Sequence, residues 1–580
     1  MNRITIAIAA ASALVLASCS STSSDVTAVQ ADAPGGSGSI EVEDVDDGVV
    51  EWAACVDVGN ALIDLECATV MVPLDHEHPE AAQIDIALAR VRAADPANRI
   101  GSVVFNPGGP GGSGIEFLAN AAILVPEEVA SRFDLVSFDP RGVAESTAVV
   151  CDNDLDDEVT LLALGDDEGW NNLVREAEGF SDTCTGETME LAAHVGTNSA
   201  ARDLDLIRAA LGDEQLSYVG FSYGTRLGAT YAELFPDNVR ALVLDGGVKP
   251  TNDLAELDGE QGEGFDNALE SFAAECDSDA DCMLRDLGPA LEVYTGLVEE
   301  ISEAGSFPTD DADRVLTPGE LQLGVVAALY SKQTWPILAE ALYLADSDSD
   351  GTLLQALVDS YAGRAPDGSY SNAQVANGFI NCADDPNRPP TDEVRDEVDA
   401  AASRSVYFDE FLRASTSCIG VGAATDPLII GPADGASSIL VIGNTGDPAT
   451  PYEWSVELAD SLSSGILYTV EAEGHTAYLS IPCVEPVVNA YLIDLSVPEV
   501  GESCSDSDGP DPFPPPGESE IDALVALFDC LRDNGADVPE FSVADLIADP
   551  SGELLLDALD PSDPNFLTAV IACEDLLGEL

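Results

Sequence analysis

Basic residues are scarce in this chain of 580 residues. Lysine and arginine together number 21, against 108 aspartates and glutamates, and the formal net charge at pH 7 is −87. Only Lys249 and Lys332 are lysines. A surface this acidic repels the phosphate backbone of DNA and RNA, which excludes nucleic acid as a partner. We interpret the excess of carboxylates as a solvated coat, with attraction of cationic peptides as the weaker alternative.

Histidine is also rare, with four residues in the chain. No C-x-x-C pair is present, and no group of histidines and cysteines has the spacing of a metal site. The sequence therefore predicts no structural metal and no cofactor.

Long apolar runs are absent after the N-terminus. Arg3 is followed by the apolar stretch Ile4 to Leu16 and by small residues that end at Cys19. This pattern indicates an export signal, and it is too short for a comfortable membrane span. A cysteine directly after Leu-Ala-Ser resembles the lipidation site of bacterial lipoproteins. We expect residues 1–19 to be a lipoprotein signal, with lipidated Cys19 as the only anchor to the outer face of the bacterial cell membrane. Ordinary cleavage and extracellular release is the alternative.

Thirteen cysteines support export, because disulfides persist in oxidising compartments. Without Cys19 their number is even, as a disulfide framework requires. Spacing alone does not decide the connectivity. Order along the chain suggests the pairs Cys55–Cys67, Cys151–Cys184, Cys276–Cys282, Cys382–Cys418, Cys483–Cys504 and Cys530–Cys573.

Short apolar segments alternate with helical stretches from residue 51 to residue 250. This alternation predicts an α/β fold with a mostly parallel sheet. Residues 251–430 read as helices, and strand signals return near residues 438 and 465. We therefore expect a helical cap inserted into one α/β domain, whose second part covers residues 431–507.

Polar segments flank this domain. Residues 20–50 are rich in Ser, Thr, Gly and Asp and are typical of a flexible linker, whereas residues 508–518 are rich in proline and predict a stiffer one. Residues 519–580 contain two amphipathic helix candidates with one cysteine each. We expect a small helical module there, held by the Cys530–Cys573 bridge because so short a unit has little core of its own.

The segment Gly220-Phe221-Ser222-Tyr223-Gly224 has the pattern G-x-S-x-G, between an apolar strand and a helical stretch. In that setting the flanking glycines permit a sharp turn, which raises the serine hydroxyl above the sheet. Ser222 is therefore the candidate nucleophile. A serine needs a base and an orienting acid, which in this kind of fold follow it in the order acid, then histidine.

His475 is the only histidine after Ser222, and it follows the last predicted strand. Elimination and position both make it the candidate base. Asp447 follows the preceding strand and is the candidate acid. Asp245 also ends a strand and competes for that role, but it comes one strand early, so we expect it to shape the floor of the pocket.

Attack on a carbonyl creates an oxyanion that needs backbone N–H donors. One donor is expected from Tyr223, the residue after the nucleophile, and the other from the glycine-rich turn at residues 106–114. Gly109 is our first choice in this turn and Gly108 the second. A phosphate-binding loop is the alternative, but the Gly-Lys-Ser/Thr ending of such loops is missing.

Several sequence blocks together resemble the tripeptidyl aminopeptidase and proline iminopeptidase branch of the α/β-hydrolases. The blocks include residues 106–112, 139–142, 201–205, 222–225, 381–384, 447–451 and 474–475, and the pair Cys483/Cys504. The resemblance implies a triad of Ser222, Asp447 and His475. It also implies that the helical insertion is a lid, and that the enzyme cleaves peptides with a free N-terminus through an acyl-enzyme.

An exopeptidase must also bind the ammonium group of its substrate. Asp384 and Asp385 are candidates, although solvated carboxylates are common in a chain this acidic. Two other functions stay open. A carboxylic-ester hydrolase would use the same triad, whereas a non-catalytic binding lipoprotein would not need the complete set.

Overall fold

The computed structural model describes residues 50–506, except for 56–62, 152–166, 185, 281, 312–313, 366–367 and 414–417, and also describes residue 532. The expected lipidation site at Cys19 and the Cys530–Cys573 pair lie outside the described residues. So do the two linkers and the C-terminal module, apart from residues 50 and 532.

Twelve strands are present in the described part of the chain. They are β1 (Ala53–Ala54), β2 (Glu66–Pro73), β3 (Gln83–Val91), β4 (Gly101–Asn106), β5 (Phe133–Phe138), β6 (Leu216–Phe221), β7 (Val239–Asp245), β8 (Phe307–Pro308), β9 (Val315–Leu316), β10 (Ile439–Gly446), β11 (Gly465–Glu473) and β12 (Ser503–Ser505).

Ten of these strands form one sheet in the order β1-β2-β3-β5-β4-β6-β7-β10-β11-β12. The pairs from β1 to β5 are antiparallel, and all pairs from β5 to β12 are parallel. The carboxyl ends of the parallel strands therefore meet at one edge, where enzymes of open α/β architecture bind their ligands.

The central strands are mostly apolar and are buried along their whole length, because both faces of the sheet are covered. Every residue of β4, β5 and β6 is buried. Along β4, Val103 and Phe105 pack into the core on one face of the sheet, and Val104 packs into the core on the other. Continuous apolar runs at these positions are what identified the strands in the sequence.

The helices fall into three groups along the chain. Those that precede β7 in the chain are α1 (Gly114–Ala121), α2 (Glu127–Ala130), α3 (Asp167–Thr183), α4 (Gly186–Ala192), α5 (Thr197–Ala210) and α6 (Tyr223–Leu234). Those between β7 and β10 are α7 (Leu254–Ser278), α8 (Ala290–Ala304), α9 (Pro318–Leu329), α10 (Trp335–Asp348), α11 (Thr352–Ala362), α12 (Ala373–Asp384), α13 (Thr391–Ala402) and α14 (Asp409–Leu412). The last two are α15 (Tyr452–Ser461) and α16 (Glu485–Asp494).

The helices from α7 to α14 form the cap. β7 and β10 pair directly in the sheet, so the cap is a long excursion between two neighbouring strands. It has an apolar core of its own, with Phe265, Leu297 and Leu342 among its buried members. The sequence predicts only helices here, whereas the structure adds the two-stranded β8–β9 pair. Strands of two residues are too short to leave a periodic pattern.

Five disulfides are present among the described residues. They join Cys55 to Cys67, Cys151 to Cys184, Cys276 to Cys282, Cys382 to Cys418, and Cys483 to Cys504. Each is a pair suggested by order along the chain. Within the same residues, no helix has the length and apolar character needed to cross a membrane.

Candidate active site

Ser222 occupies the sharp turn between β6 and α6. Its backbone has φ 55° and ψ −124°, a conformation that costs free energy for a residue with a side chain. Its neighbours hold this conformation: the N–H of Ser222 donates to the carbonyl oxygen of Asp245 at 2.9 Å, and the Ser222 carbonyl accepts from both the N–H and the hydroxyl of Thr225. The turn therefore presents the serine at the carboxyl edge of the sheet.

The glycines on either side of Ser222 are required by space. A Cβ atom on Gly220 would collide with the carbonyl oxygen of Gly224. A Cβ atom on Gly224 would lie 2.8 Å from the carbonyl oxygen of Asn106. The G-x-S-x-G pattern thus has a direct steric cause in this fold.

Asp447 and His475 form a hydrogen-bonded pair after β10 and β11. The Nδ1 atom of His475 lies 2.9 Å from Oδ1 and 3.0 Å from Oδ2 of Asp447. The Asp447 carboxylate also accepts the N–H groups of Ala449 and Thr450 and the hydroxyl of Thr450 at 3.0 Å. Because its position is fixed by these bonds, Asp447 can hold the imidazole with Nδ1 facing it and Nε2 directed elsewhere.

The charge of Asp447 changes the acid–base properties of His475. Burial alone lowers the pKa of His475, but the nearby Asp447 carboxylate and its hydrogen bond outweigh burial. Asp245 adds a smaller contribution of the same sign, and the pKa of His475 is raised from its ordinary value near 6.5. A more basic imidazole accepts a proton from a hydroxyl more readily.

The turn at Ser222 and the ring of His475 both lie beside the end of β7. Ser222 is bonded through its N–H to the carbonyl of Asp245, as described above. A Cβ atom on the next residue, Gly246, would lie 3.3 Å from Cε1 of His475. The chain segment that fixes the serine backbone therefore also lies close to the imidazole ring.

Asp245, the competing acid, does not occupy the orienting position. Its carboxylate accepts backbone N–H groups of Ala477 and Tyr478, whereas Nδ1 of His475 faces Asp447. The geometry therefore favours Asp447 over Asp245 as the acid.

The glycine-rich turn packs against Ser222, the candidate nucleophile. A Cβ atom on Gly108 would lie 3.0 Å from Cβ of Ser222 and 3.1 Å from the nitrogen of Tyr223. The N–H of Gly108 donates to Oδ1 of Asn106 at 3.1 Å, and Gly109 is exposed. Of the two glycines, Gly109 is therefore the better candidate for an oxyanion donor opposite the N–H of Tyr223.

The cap contacts both of these loops. In the glycine-rich turn, the carbonyl of Pro110 accepts a hydrogen bond of 3.0 Å from the side-chain amide of Asn377 on α12. On the base side, the ring of Tyr330, just after α9, meets the ring of His475 edge to face at 5.4 Å. The sequence carries no signal for these contacts, because they join segments far apart in the chain.

Asp384 and Asp385, the candidate acceptors for a substrate ammonium group, are both buried. Asp384 is 1% exposed, and its two oxygens accept the N–H and the hydroxyl of Thr197 at 2.7 and 2.6 Å. Asp385 is also buried and accepts the N–H of Asn387. Both carboxylates are thus enclosed and hydrogen-bonded within the protein, and their part in binding a substrate ammonium group stays a prediction.

Thr450 is a site residue that the sequence reasoning missed. Its hydroxyl donates to Asp447 and lies 3.3 Å from Nδ1 of His475. The spacing of three residues from Asp447 to Thr450 is a turn signal that could have identified it. No group of three or more His, Cys, Asp or Glu within the described ranges is arranged to hold a metal ion.

Comparisons with known proteins agree with this arrangement. The family model for the alpha/beta hydrolase fold matches residues 101–480. Serine protease Hip1 of Mycobacterium tuberculosis (strain ATCC 25618 / H37Rv) is 37% identical over 480 residues, covering 78% of this chain and 91% of that protein. Carboxylesterase B of the same strain is 34% identical over 453 residues, covering 76% and 86%. Tripeptidyl aminopeptidase of Streptomyces lividans is 29% identical over 469 residues, covering 77% and 84%.

These matches confirm the predicted fold class and the resemblance drawn from the sequence blocks. The matched region contains strands β4 to β11, the cap and all of the site residues described above. The chain belongs to the α/β-hydrolase family and is a serine hydrolase.

Proposed function

We propose that the protein is a serine aminopeptidase that hydrolyses peptides from a free N-terminus, with Ser222 as nucleophile, His475 as base and Asp447 as orienting acid. The observation that carries the proposal is the buried Asp447–His475 pair beside the Ser222 turn. Peptidase relatives support the choice of substrate, since one is named a serine protease and another a tripeptidyl aminopeptidase.

In the first step, Nε2 of His475 accepts the hydroxyl proton of Ser222 while the oxygen attacks the carbonyl carbon of the scissile bond. The carboxylate of Asp447 stabilises the imidazolium that forms and keeps the ring in place. Collapse of the tetrahedral intermediate breaks the C–N bond, and His475 gives its proton to the leaving amine. Water then repeats the sequence on the acyl-enzyme, which releases the N-terminal fragment and restores Ser222.

The oxyanion of each tetrahedral intermediate would be held by the N–H groups of Tyr223 and Gly109. Losing one such donor typically costs about 3–4 kcal/mol of transition-state stabilisation. In our proposal Gly108 donates no hydrogen bond to the oxyanion, because its N–H is bonded to Asn106. It lets the glycine-rich turn pack closely against Ser222.

The cap supports an exopeptidase over an endopeptidase. It contacts the base through Tyr330 and the glycine-rich turn through Asn377, so cap residues border the site on two sides. A site enclosed in this way favours chain ends over the middle of a folded polypeptide.

We also propose that the protein is exported and lipid-anchored at Cys19. The disulfides of the described region fit an oxidising compartment. Globomycin treatment of a producing cell tests this idea, since it blocks maturation of lipidated precursors; normal processing in its presence would contradict lipidation.

A carboxylic-ester hydrolase is the second candidate, favoured by the relative named carboxylesterase B. The test compares tripeptidyl and aminoacyl anilides with a free N-terminus, the same anilides acetylated at the N-terminus, and simple acyl esters. We expect turnover of the free-amine anilides and at least a hundredfold less of the acetylated ones. Cleavage of acyl esters alone would favour the second candidate.

Two variants complete this test. Ser222→Ala should lose all turnover and all labelling by a fluorophosphonate probe. Ser480→Ala is the matched control, because this exposed serine lies near His475 but donates only to backbone carbonyls. It should retain wild-type activity and labelling.

A further inference from the structure

Asp245 is a buried carboxylate that the proposed reaction does not use. It ends β7, which lies between β6 with the nucleophile and β10 with the acid. Its Oδ1 and Oδ2 atoms each lie 3.0 Å from the N–H nitrogen of Ala477, and Oδ2 also accepts the N–H of Tyr478 at 2.7 Å. Its main-chain carbonyl accepts the N–H of Ser222.

We propose that Asp245 is a positioning residue that joins the nucleophile turn to the base loop, residues 474–479, and so sets the distance between Ser222 and His475. The inference rests on the proposed roles of Ser222 and His475. Asp245 connects the two loops directly. Its main-chain carbonyl is bonded to the nucleophile turn, and its carboxylate is bonded to the base loop. Neither Asp447 nor the cap makes this connection in the proposal.

The base loop needs such a support because its backbone is irregular. Gly474, Thr476 and Leu479 have φ values of 99°, 63° and 75°. Side-chain-bearing residues keep positive φ only where the surroundings impose it. Ala477 and Tyr478 are buried, and their N–H groups would lack an acceptor if the carboxylate of Asp245 were removed. A buried N–H group that loses its acceptor is costly enough in free energy to shift the loop.

The charge of Asp245 links this support to pH. Burial raises the pKa of Asp245 to about 7, while the backbone bonds from Tyr478 and Ala477 and the proximity of His475 act in the opposite direction. His475 and Asp447 are the charged groups that face it. Protonation turns one carboxylate oxygen into a hydroxyl that donates, so the N–H of Ala477, which contacts both oxygens, loses one of its two acceptors. Its negative charge also helps to raise the pKa of His475.

The test uses the rate of Ser222 labelling by a fluorophosphonate probe as a function of pH, because this reaction needs the nucleophile and the base but no peptide. In the wild-type protein the rate should fall at low pH with a slope above one proton, since Asp245 must be ionised and His475 neutral. In Asp245→Asn the maximal rate should fall at least tenfold. The remaining decline should follow one proton and move to lower pH, because a negative charge beside His475 is gone.

Asp266→Asn is the matched control for this variant. Asp266 is also a buried carboxylate that accepts two backbone N–H groups, those of Val406 and Tyr407, but it lies on α7 in the cap. Its loss should lower thermal stability without changing the slope or midpoint of the labelling profile. A profile of Asp245→Asn that keeps the wild-type slope and midpoint, whatever its height, would overturn the inference.

Two results separate this inference from the proposed function. If the wild-type protein is labelled at Ser222 but cleaves no free-amine anilide, the aminopeptidase proposal fails while the labelling test of Asp245 still decides. If anilides are cleaved and Asp245→Asn behaves as wild type, only the inference fails. Should Asp245→Asn not fold, the wild-type profile alone is decisive, because a one-proton slope contradicts the role of Asp245.

Discussion

The main-chain carbonyl of Tyr330 accepts a hydrogen bond of 2.8 Å from the N–H of His475. Tyr330 belongs to the cap, and His475 follows the last long strand of the sheet. The backbone of the proposed base is therefore held from two directions, by the cap through Tyr330 and by the sheet through Asp245, which binds the following residues.

Replacing the Tyr330 ring should weaken catalysis even though the carbonyl remains. The edge-to-face contact with His475 is of the kind worth about 0.5–1.5 kcal/mol, so Tyr330→Leu should lower kcat/KM up to about tenfold. Tyr330→Phe keeps the ring and should lie within twofold of wild type. Steady-state rates on a free-amine anilide would decide, and equal losses in both variants would contradict a role for the ring.

Loosening the glycine-rich turn should lower kcat more than it raises KM. Asn377→Leu removes the hydrogen bond to Pro110, and displacement of an oxyanion donor weakens transition-state binding rather than substrate binding. We expect a fall in kcat of about tenfold. Gln374→Leu, an exposed change on the same helix, should have no such effect; a rise in KM alone for Asn377→Leu would contradict the expectation.

The pH dependence of kcat/KM should reflect the raised pKa of His475, whose imidazolium form loses its proton only at a higher pH than an ordinary histidine does. His475 must be neutral to accept a proton, and its pKa is raised, so activity should fall as pH drops through a midpoint above 6.5. Asp447→Asn should reduce the rate by about 10³–10⁴, because the imidazole loses its orienting partner. A wild-type midpoint below 6.5 would contradict the electrostatic effect of Asp447.

Thermal stability should increase as pH falls from about 8 to about 5.5. Burial raises the pKa of Asp245 to about 7 and that of Asp384 to about 6, both above the value near 3.9 of an unfolded chain. The folded state therefore stays protonated at these carboxyl groups up to a higher pH than the unfolded state does. The stability that this protonation contributes is lost as pH rises through the pKa values of the folded state. The raised pKa of His475 acts in the same direction.

Scanning calorimetry at constant ionic strength would measure this effect. Asp384→Asn should reduce the dependence of Tm on pH, since one of the two buried carboxylates no longer titrates. A Tm that stays level or falls between about pH 8 and about pH 5.5 would contradict the prediction.

The strands and the nucleophile turn were predictable from sequence because their signals are local. Neighbouring strand residues such as Val103 and Val104 are apolar because they pack into the core on opposite faces of the sheet. The turn at Ser222 needs its two glycines for steric reasons. The candidate acid and base were chosen from their order along the chain and from the scarcity of histidine, and the structure places the two side chains within hydrogen-bond distance. These inferences required no knowledge of which loops touch.

The contacts that were not predictable join distant segments. Nothing near Asn377 or Tyr330 in the sequence indicates a partner in the α/β domain, and the burial of Asp384 beside Thr197 has no local pattern either. Thr450 is intermediate, because its spacing from Asp447 is local but its approach to His475 is not.

The insertion of the cap between β7 and β10 has a consequence for how the chain is made. Synthesis proceeds from the N-terminus, so the ribosome completes Ser222 and then the whole cap before it reaches Asp447 and His475. A nascent or prematurely terminated chain thus carries a serine hydroxyl of ordinary reactivity. In the proposed mechanism, the cap is therefore translated before Asp447 and His475, the two residues that activate the serine.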